Sequence, residues 1–308
     1  GPSNNPEQKP IRMKRRDFLR NTLIVGAGVM LPLSGLSASR RDAFTTLRRN
    51  VGFFTERGGT IGWLASDQAL VAVDSQFPDS AAHCIAGLQE KTSHSMDLLI
   101  NTHHHGDHTG GNGTFKEITE HIVAHKNVPV YQQQSADEGE TPVVADITFE
   151  TSWKQEVGDE IIHANHYGPA HTGGDAVVYF EKANVAHMGD LIFNRAYPYI
   201  DPGAGASVRN WVSVLDETLK TLPSDTLFIF GHANPKFEVT GTVEDIKVMR
   251  NYLEALITYT QKGLQAGKSK EELMNKEVLP GFEAFNNPDW FLKLSNNVEV
   301  MFNELITN

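Results

Sequence analysis

The sequence predicts a layered α/β sandwich folded as one domain. Three observations carry this. Short β-prone runs recur from about residue 45, separated by Gly and Asp turns. Each half of that region runs from strands into helix-like segments. No close repeat or low-complexity linker divides the 308 residues, which are 40% hydrophobic and so supply a sizeable core.

The elements follow in chain order. "VGFF" (51–54), "IGWLA" (61–65) and "ALVAVD" (69–74) read as strands, and 79–91 as a helix. "DLLINT" (97–102) is a buried-type strand. "SWKQEV", "EIIHANHY", "AVVYFE" and "NVAHMG" are the strands of the second half. Residues 207–222 are helical, with Val208, Trp211, Val212, Leu215 and Leu219 on one face. "TLFIFGH" (226–232) is another strand. Thr242 with Asp245 forms a capping-box start, and Ile246, Met249, Leu253, Leu256 and Ile257 mark the amphipathic helix behind it. A final helix is expected over 287–306.

The N-terminal region follows a different grammar. Residues 1–12 read as an upstream extension and 13–38 as a signal peptide, which leaves 45–308 as the single domain. The apolar stretch 23–33 is too short to span a bilayer, so no stable membrane insertion is expected. Arg15-Arg16 ahead of it resembles a twin-arginine signal, which exports folded proteins to the periplasm or beyond.

A net charge of −11 argues against nucleic acid as a partner and otherwise reads as solubility; the expected partner is a small-molecule substrate. The single cysteine, Cys84, rules out an intramolecular disulfide and a site built on several thiolates. Any metal site must use histidines and carboxylates.

"THHHGDHTGGN" (102–112) offers both at once, as His103-x-His105-x-Asp107-His108. It follows an apolar strand and opens a Gly-rich loop. His103 and His105 are two apart, so extended backbone sends both the same way. Asp107 and His108 come after Gly106, which can turn the chain. One loop can thus supply two ligands to one metal and two to a second, with His104 pointing away. Further ligands are expected from "GPAHTGGD" (His171), "AHMGDLIF" (Asp190) and "FIFGHAN" (His232), each beside a short apolar strand.

This set, over about residues 50–235, resembles the metallo-β-lactamase superfamily, with its HxHxDH loop, later His, bridging Asp and final His. The resemblance implies a four-layer αβ/βα sandwich. It implies that His103, His105 and His171 hold a first metal, that Asp107, His108 and His232 hold a second, and that Asp190 bridges them. His83, His94, His121, His125, His163, His166 and His187 lack this context and read as surface or packing residues, with His163 and His166 close enough to reach the rim.

Such ligands suit Zn²⁺, and also iron or manganese. Two ions about 3.5–4 Å apart share a water and lower its pKa towards about 7, which supplies a hydroxide nucleophile for a carbonyl-type bond. Asp107 is the expected catalytic residue, orienting the hydroxide and shuttling its proton. Lactones, esters, thioesters and β-lactam amides are candidate substrates. Some lactamases of the superfamily carry a metal-binding Cys, and others a non-ligating Ser, where this chain has Asp190. The pattern looks closer to thioester hydrolases of the glyoxalase II type and to lactonases, while export disfavours glutathione thioesters. Tyr197 and Tyr199, in "FNRAYPYIDPGAGASVRNW" (193–211), are expected to form a substrate-pocket wall opposite "ERGGTIGW" (56–63). Two other readings stand beside this one: a single-iron oxidoreductase acting on persulfides, and a non-catalytic metal-binding protein. The sequence sets no oligomeric state.

Overall fold

The structure is a computed structural model and describes residues 43–307. The extension (1–12) and signal peptide (13–38) expected from the sequence lie outside the described residues.

The first sheet has seven strands in chain order: β1 (Phe44–Arg48), β2 (Val51–Phe54), β3 (Ile61–Ala65), β4 (Leu70–Val73), β5 (Leu98–Ile100), β6 (Ile122–His125) and β7 (Ile147–Phe149). The first four are antiparallel neighbours, whereas β4 to β7 pair in parallel. The parallel half needs crossovers, and helix α1 (Pro78–Lys91) supplies the one from β4 to β5. The second sheet draws on β8 (Ser152–Val157), β9 (Glu160–Asn165), β10 (Val177–Phe180), β11 (Val185–His187), β13 (Leu227–Ile229) and β15 (Thr240–Gly241). Two further strands, β12 (Phe193–Asn194) and β14 (His232–Ala233), pair with each other.

Alternation along the strands builds the layers. In β4, Val71 and Val73 face the core between the sheets, while Leu70 and Ala72 face outward under α1 with Cys84 and Leu88. In β13, Ile229 joins the inter-sheet core and Phe228 the outer core. That outer core is covered by α5 (Val208–Thr221), α6 (Val243–Gln265) and, after the short α7 (Lys270–Met274), the C-terminal α8 (Leu294–Thr307). Helix, sheet, sheet and helix make the expected αβ/βα sandwich.

Several boundaries differ from the sequence-based expectation. On α5 the buried positions are Val208, Trp211, Val214, Leu215 and Thr218, so Val212 and Leu219 sit at the edge of the buried face. The Thr242–Asp245 capping box is present, with Thr242 donating its backbone N–H to Asp245 Oδ2 at 2.9 Å. The final helix starts at Leu294. Residues ahead of Pro288 are steered out of helical geometry, and the 286–293 segment instead carries Trp290 inward. Strands β6 and β7 and helix α4 (Asn127–Ser135), which did not emerge from the sequence, complete the first half. Among the described residues no helix is long and apolar enough to cross a membrane.

Candidate metal centre

The seven candidate ligands meet where strands of both sheets end. The loop after β5 carries His103 to His108, and the 3-10 turn after β11 (Gly189–Leu191) carries Asp190. His171 lies in the loop between β9 and β10, and His232 opens β14. The turn inside the HxHxDH loop is one turn of helix, α2 (Gly106–Thr109), followed by α3 (Asn112–Lys116). His108 N–H donates to the His105 carbonyl at 3.0 Å. Helical backbone, rather than any conformation special to Gly106, therefore turns Asp107 and His108 away from His103 and His105. Two other glycines are needed for close approach. A side-chain carbon on Gly59 would lie 2.1 Å from the His108 ring, and one on Gly231 would lie 2.0 Å from Asp190 Oδ1.

His103, His105, His171 and Asp190 form one group whose ligand atoms all lie within 4.8 Å of each other, and Asp107, His108 and His232 form a second. Asp190 stands between them. Its Oδ2 lies 3.5, 3.4 and 3.4 Å from Nε2 of His103, His171 and His232, and its Oδ1 lies 3.0 Å from His108 Nε2. His232 Nε2 is 3.0 Å from Asp107 Oδ2. His171 Nε2 is 3.0 Å from His105 Nδ1.

These atoms are close but poorly satisfied. His103 Nε2 and all four carboxylate oxygens of Asp107 and Asp190 are buried without a hydrogen bond. Five orphaned polar atoms in one volume are costly unless a cation completes them. The far sides of the rings are satisfied in a way that fixes which nitrogen faces inward. Asp74 Oδ2 accepts from His108 Nδ1 at 2.7 Å and from Thr102 Oγ1 at 2.7 Å. With its proton committed to Asp74, Thr102 Oγ1 accepts from His103 Nδ1 at 3.0 Å. The Tyr199 carbonyl accepts from His171 Nδ1 at 2.7 Å. Each contact leaves Nε2 as the nitrogen that faces the cluster, as metal coordination requires. Nitrogen and carboxylate donors of this kind fit Zn²⁺, iron or manganese.

The electrostatics agree with a site made for cations. Burial pushes the Asp190 carboxyl up, but the positive charges of His108 and His232 outweigh it and hold it well below the usual carboxylate range. Burial holds His171 down to about 3, so its ring is neutral at pH 7. Burial opposes the charge on His232, yet Asp190 and Asp107 lift it to about 9, and the same carboxylates with Asp74 lift His108 well above its ordinary value. Both raised groups are protonated at neutral pH in the metal-free protein. Their contribution to stability is complete below the unfolded pKa of about 6.5 and, for His232, is lost as pH rises through about 9. Metal must displace those protons, so affinity should rise with pH towards about 9. Calorimetric zinc titration at pH 7 in buffers of different ionisation enthalpy should show about two protons released. Heats independent of buffer would contradict this.

The two tyrosines separate. Tyr197 is 1% exposed, its ring packs on Tyr252 and Phe285, and its hydroxyl donates to the Glu277 carbonyl. It belongs to the outer core and forms no pocket wall, a correction to the sequence-based expectation. Tyr199 does reach the cluster, with its ring 5.4 Å from His105. The 56–63 segment lies on the opposite side, where Gly59 N–H donates to the Asp107 carbonyl at 3.1 Å. His104 lies against Asp201 and is tilted against Tyr131, beside His105, and supplies no ligand atom to either group. His163 pairs with Glu181, and His166 donates to the Asp175 carbonyl while stacking on His125, so neither reaches the cluster. His83, His94, His121 and His187 contact Glu56, Asp97, Asp146 and the Thr60 carbonyl respectively.

Four contributors are not among the residues expected from the sequence. Asp74 ends the apolar run "ALVAVD", and a charge there was a usable signal. Asp201, in "YIDPGAG", lies 2.9 Å from His105 Nε2. Trp290 and Phe193 flank His232, with ring centroids 6.3 and 5.1 Å away. His105 and His232, each 9% exposed, are the least buried of the seven and mark the side open to substrate.

Comparison with known proteins agrees with this geometry. Residues 86–232, which include all seven candidate ligands, match the Metallo-beta-lactamase superfamily. A hydroxyacylglutathione hydrolase of Gloeothece citriformis is 26% identical over 61% of this chain and 70% of its own length. A metallo-beta-lactamase type 2 of Bacillus cereus is 26% identical over 62% of this chain and 76% of its own. A probable hydroxyacylglutathione hydrolase of Schizosaccharomyces pombe is 27% identical, and the match covers 60% of that protein. By their names these relatives are hydrolases. Among solved structures, a sec-alkylsulfatase from Pseudomonas sp. superposes with a TM-score of 0.65 at 13% identity, over 85% of this chain and 50% of that one. The metallo-beta-lactamase IND-7 superposes at 0.55 and 19% identity, over 68% and 97%. The order of the candidate ligands, the four-layer fold and these likenesses agree with one another: residues 86–232 are similar to the Metallo-beta-lactamase superfamily, and the fold is shared with the metallo-beta-lactamase IND-7.

Proposed function

We propose that the chain is a dinuclear metal hydrolase, with zinc the leading metal, that cleaves a carbonyl-type bond in a small molecule. The observation that carries this reading is the second group. Asp107, His108 and His232 lie beside a complete first group, with Asp190 between them and its oxygens lacking hydrogen bonds. A single-metal oxidase needs no such second set, so the reading favours hydrolysis over persulfide oxidation.

A metal pair held there supplies Lewis acidity and a water acidified towards neutral pH. The chain's own residues do the rest. The contacts behind His103, His108 and His171 fix a proton on each outer nitrogen, so that Nε2 is the nitrogen that faces the metals. Asp107, whose carboxyl is held below its ordinary range by His108 and His232 despite burial, takes the proton of the attacking water at its carboxylate and passes it to the leaving group. Trp290, Phe193 and Tyr199 exclude water from the flanks of the open side.

The relatives' names point to thioesters and β-lactams. An aspartate at position 190 favours the thioester and lactone class. Export by a twin-arginine signal belongs to the same proposal and places the substrate outside the cytoplasm.

The test combines metal analysis of the purified protein with a panel of a hydroxyacyl thioester, a lactone, an aryl ester and a β-lactam. The expected result is two divalent ions per chain and zinc-dependent turnover of at least one member. Two bound ions with no turnover of any member would favour a non-catalytic metal-binding protein. A single iron with oxygen-dependent turnover would favour the oxidase.

A further inference from the structure

His105 is held differently from the other candidate ligands of its group. His103 and His171 turn their outer nitrogens to neutral oxygens, those of Thr102 and Tyr199. His105 turns Nε2 to a carboxylate, Asp201 Oδ2, at 2.9 Å. The same oxygen lies 3.6 Å from His104 Nε2. The Asp201 side chain is 18% exposed, so water screens this contact only partly.

The backbone around Asp201 is fixed from several directions. Its N–H donates to the His171 carbonyl at 3.2 Å, and its carbonyl accepts from Ala206 N–H at 3.0 Å. Its Oδ1, the oxygen not used by His105, accepts from Ala204 N–H at 3.2 Å. The C-terminal helix secures the same loop. Asn297 donates to the Pro198 carbonyl at 2.7 Å, and Glu304 accepts from Val208 N–H at 2.7 Å. The segment 199–201 thus presents two acceptors, the Tyr199 carbonyl and the Asp201 carboxylate, to two candidate ligands of the same group.

We propose that Asp201 is a positioning residue for the first metal site: it holds the proton of His105 on Nε2 and so keeps the Nδ1 lone pair facing the metal. The inference rests on the metal-binding reading above. An ionised acceptor holds an imidazole more strongly than a neutral one and makes its other nitrogen a better donor. His105 Nδ1 lies 3.0 Å from His171 Nε2, and both lone pairs cannot share that space without a cation between them. Fixing the tautomer from outside keeps the site in its binding form before metal arrives.

The test uses Asp201→Asn in the full chain. An asparagine carbonyl oxygen can still accept from Ala204, while its amide group cannot accept from His105. Zinc affinity is read by competition with a chelator, and thermal unfolding of the metal-free protein is measured alongside. The expected result is a first-site Kd higher by about 10–100-fold, a second-site Kd within a few-fold of wild type, and an unchanged metal-free Tm. An unchanged first-site Kd overturns the proposal. So does weaker binding matched by a falling metal-free Tm, which would make Asp201 a turn cap only. A wild-type chain that takes up no divalent ion would overturn the metal reading itself, whereas a wild type that takes up two ions beside an unaffected variant overturns only the role of Asp201.

Discussion

Asp107→Ala is expected to lower turnover of the responsive panel substrate by about 10²–10⁴-fold and to cost the protein its second metal ion. The carboxylate does two things in the proposed mechanism. It is one of three candidate ligands in the second group, 3.0 Å from His232 Nε2, and it is the residue that moves the proton of the attacking water. No other carboxylate can take over. Asp190 lies between both groups, and Asp74 is committed to Thr102 and His108. The fold should survive the change, because the partners of the Asp107 side chain, His108 and His232, belong to the same candidate site and keep Asp190 beside them. Metal analysis and kcat/KM on the same preparation check both parts. A variant with full turnover and full metal content would remove Asp107 from the mechanism.

Asp74→Ala should damage stability and metal binding together. Asp74 is fully buried and accepts from three donors: Thr102 N–H, Thr102 Oγ1 and His108 Nδ1, each at 2.7 Å. Alanine leaves all three without an acceptor where water cannot replace it, at about 1–3 kcal/mol each. It also places an alanine at φ 66°, a left-handed conformation that aspartate tolerates better. Such losses are not additive, so the expected destabilisation of the metal-free protein is about 3–5 kcal/mol, or a Tm lower by about 10 °C. Both metals should bind more weakly, since His108 loses its partner directly and His103 loses it through Thr102. Asp74→Asn keeps a carbonyl acceptor and tolerance for this backbone, so it should lose less than half as much stability. Denaturant titration of the two variants measures the difference. Equal stability for wild type and Asp74→Ala would show that the hydrogen bonds seen here do not hold the loop.

That the candidate ligands meet was legible in the sequence, and the reason is local. His103, His105, Asp107 and His108 sit within six residues, and a strand followed by a tight turn leaves few ways to arrange them. His171, Asp190 and His232 each follow or precede a short apolar run, so a strand-end position was readable from hydropathy. The layers were legible for the same reason: the period of two in "LVAV" assigns Val71 and Val73 to one face and Leu70 and Ala72 to the other. Where the sequence reading failed, the determining partner was remote. Tyr197 and Tyr199 are equivalent candidates along the chain. Tyr252 and Phe285 claim the first for the core, and the loop turns the second towards His105. Glycine at 106 suggests a special turn, whereas a single helical turn over Gly106–Thr109 makes it. The C-terminal helix starts later than its apolar pattern suggests: Pro288 disfavours helix just before it, and Trp290 packs beside His232, 58 residues away in sequence.

Residue type and spacing alone therefore specify the candidate donor atoms and most strands and helices, β6, β7 and α4 excepted. Both depend on backbone geometry over a few residues. The orientation of each imidazole came only from the folded chain. His108 takes its proton acceptor from 34 residues upstream, and His105 from 96 residues downstream. Donor chemistry belongs to a side chain wherever it stands, but the tautomer of a histidine is set by what its second nitrogen touches, and that contact exists only after distant segments have packed.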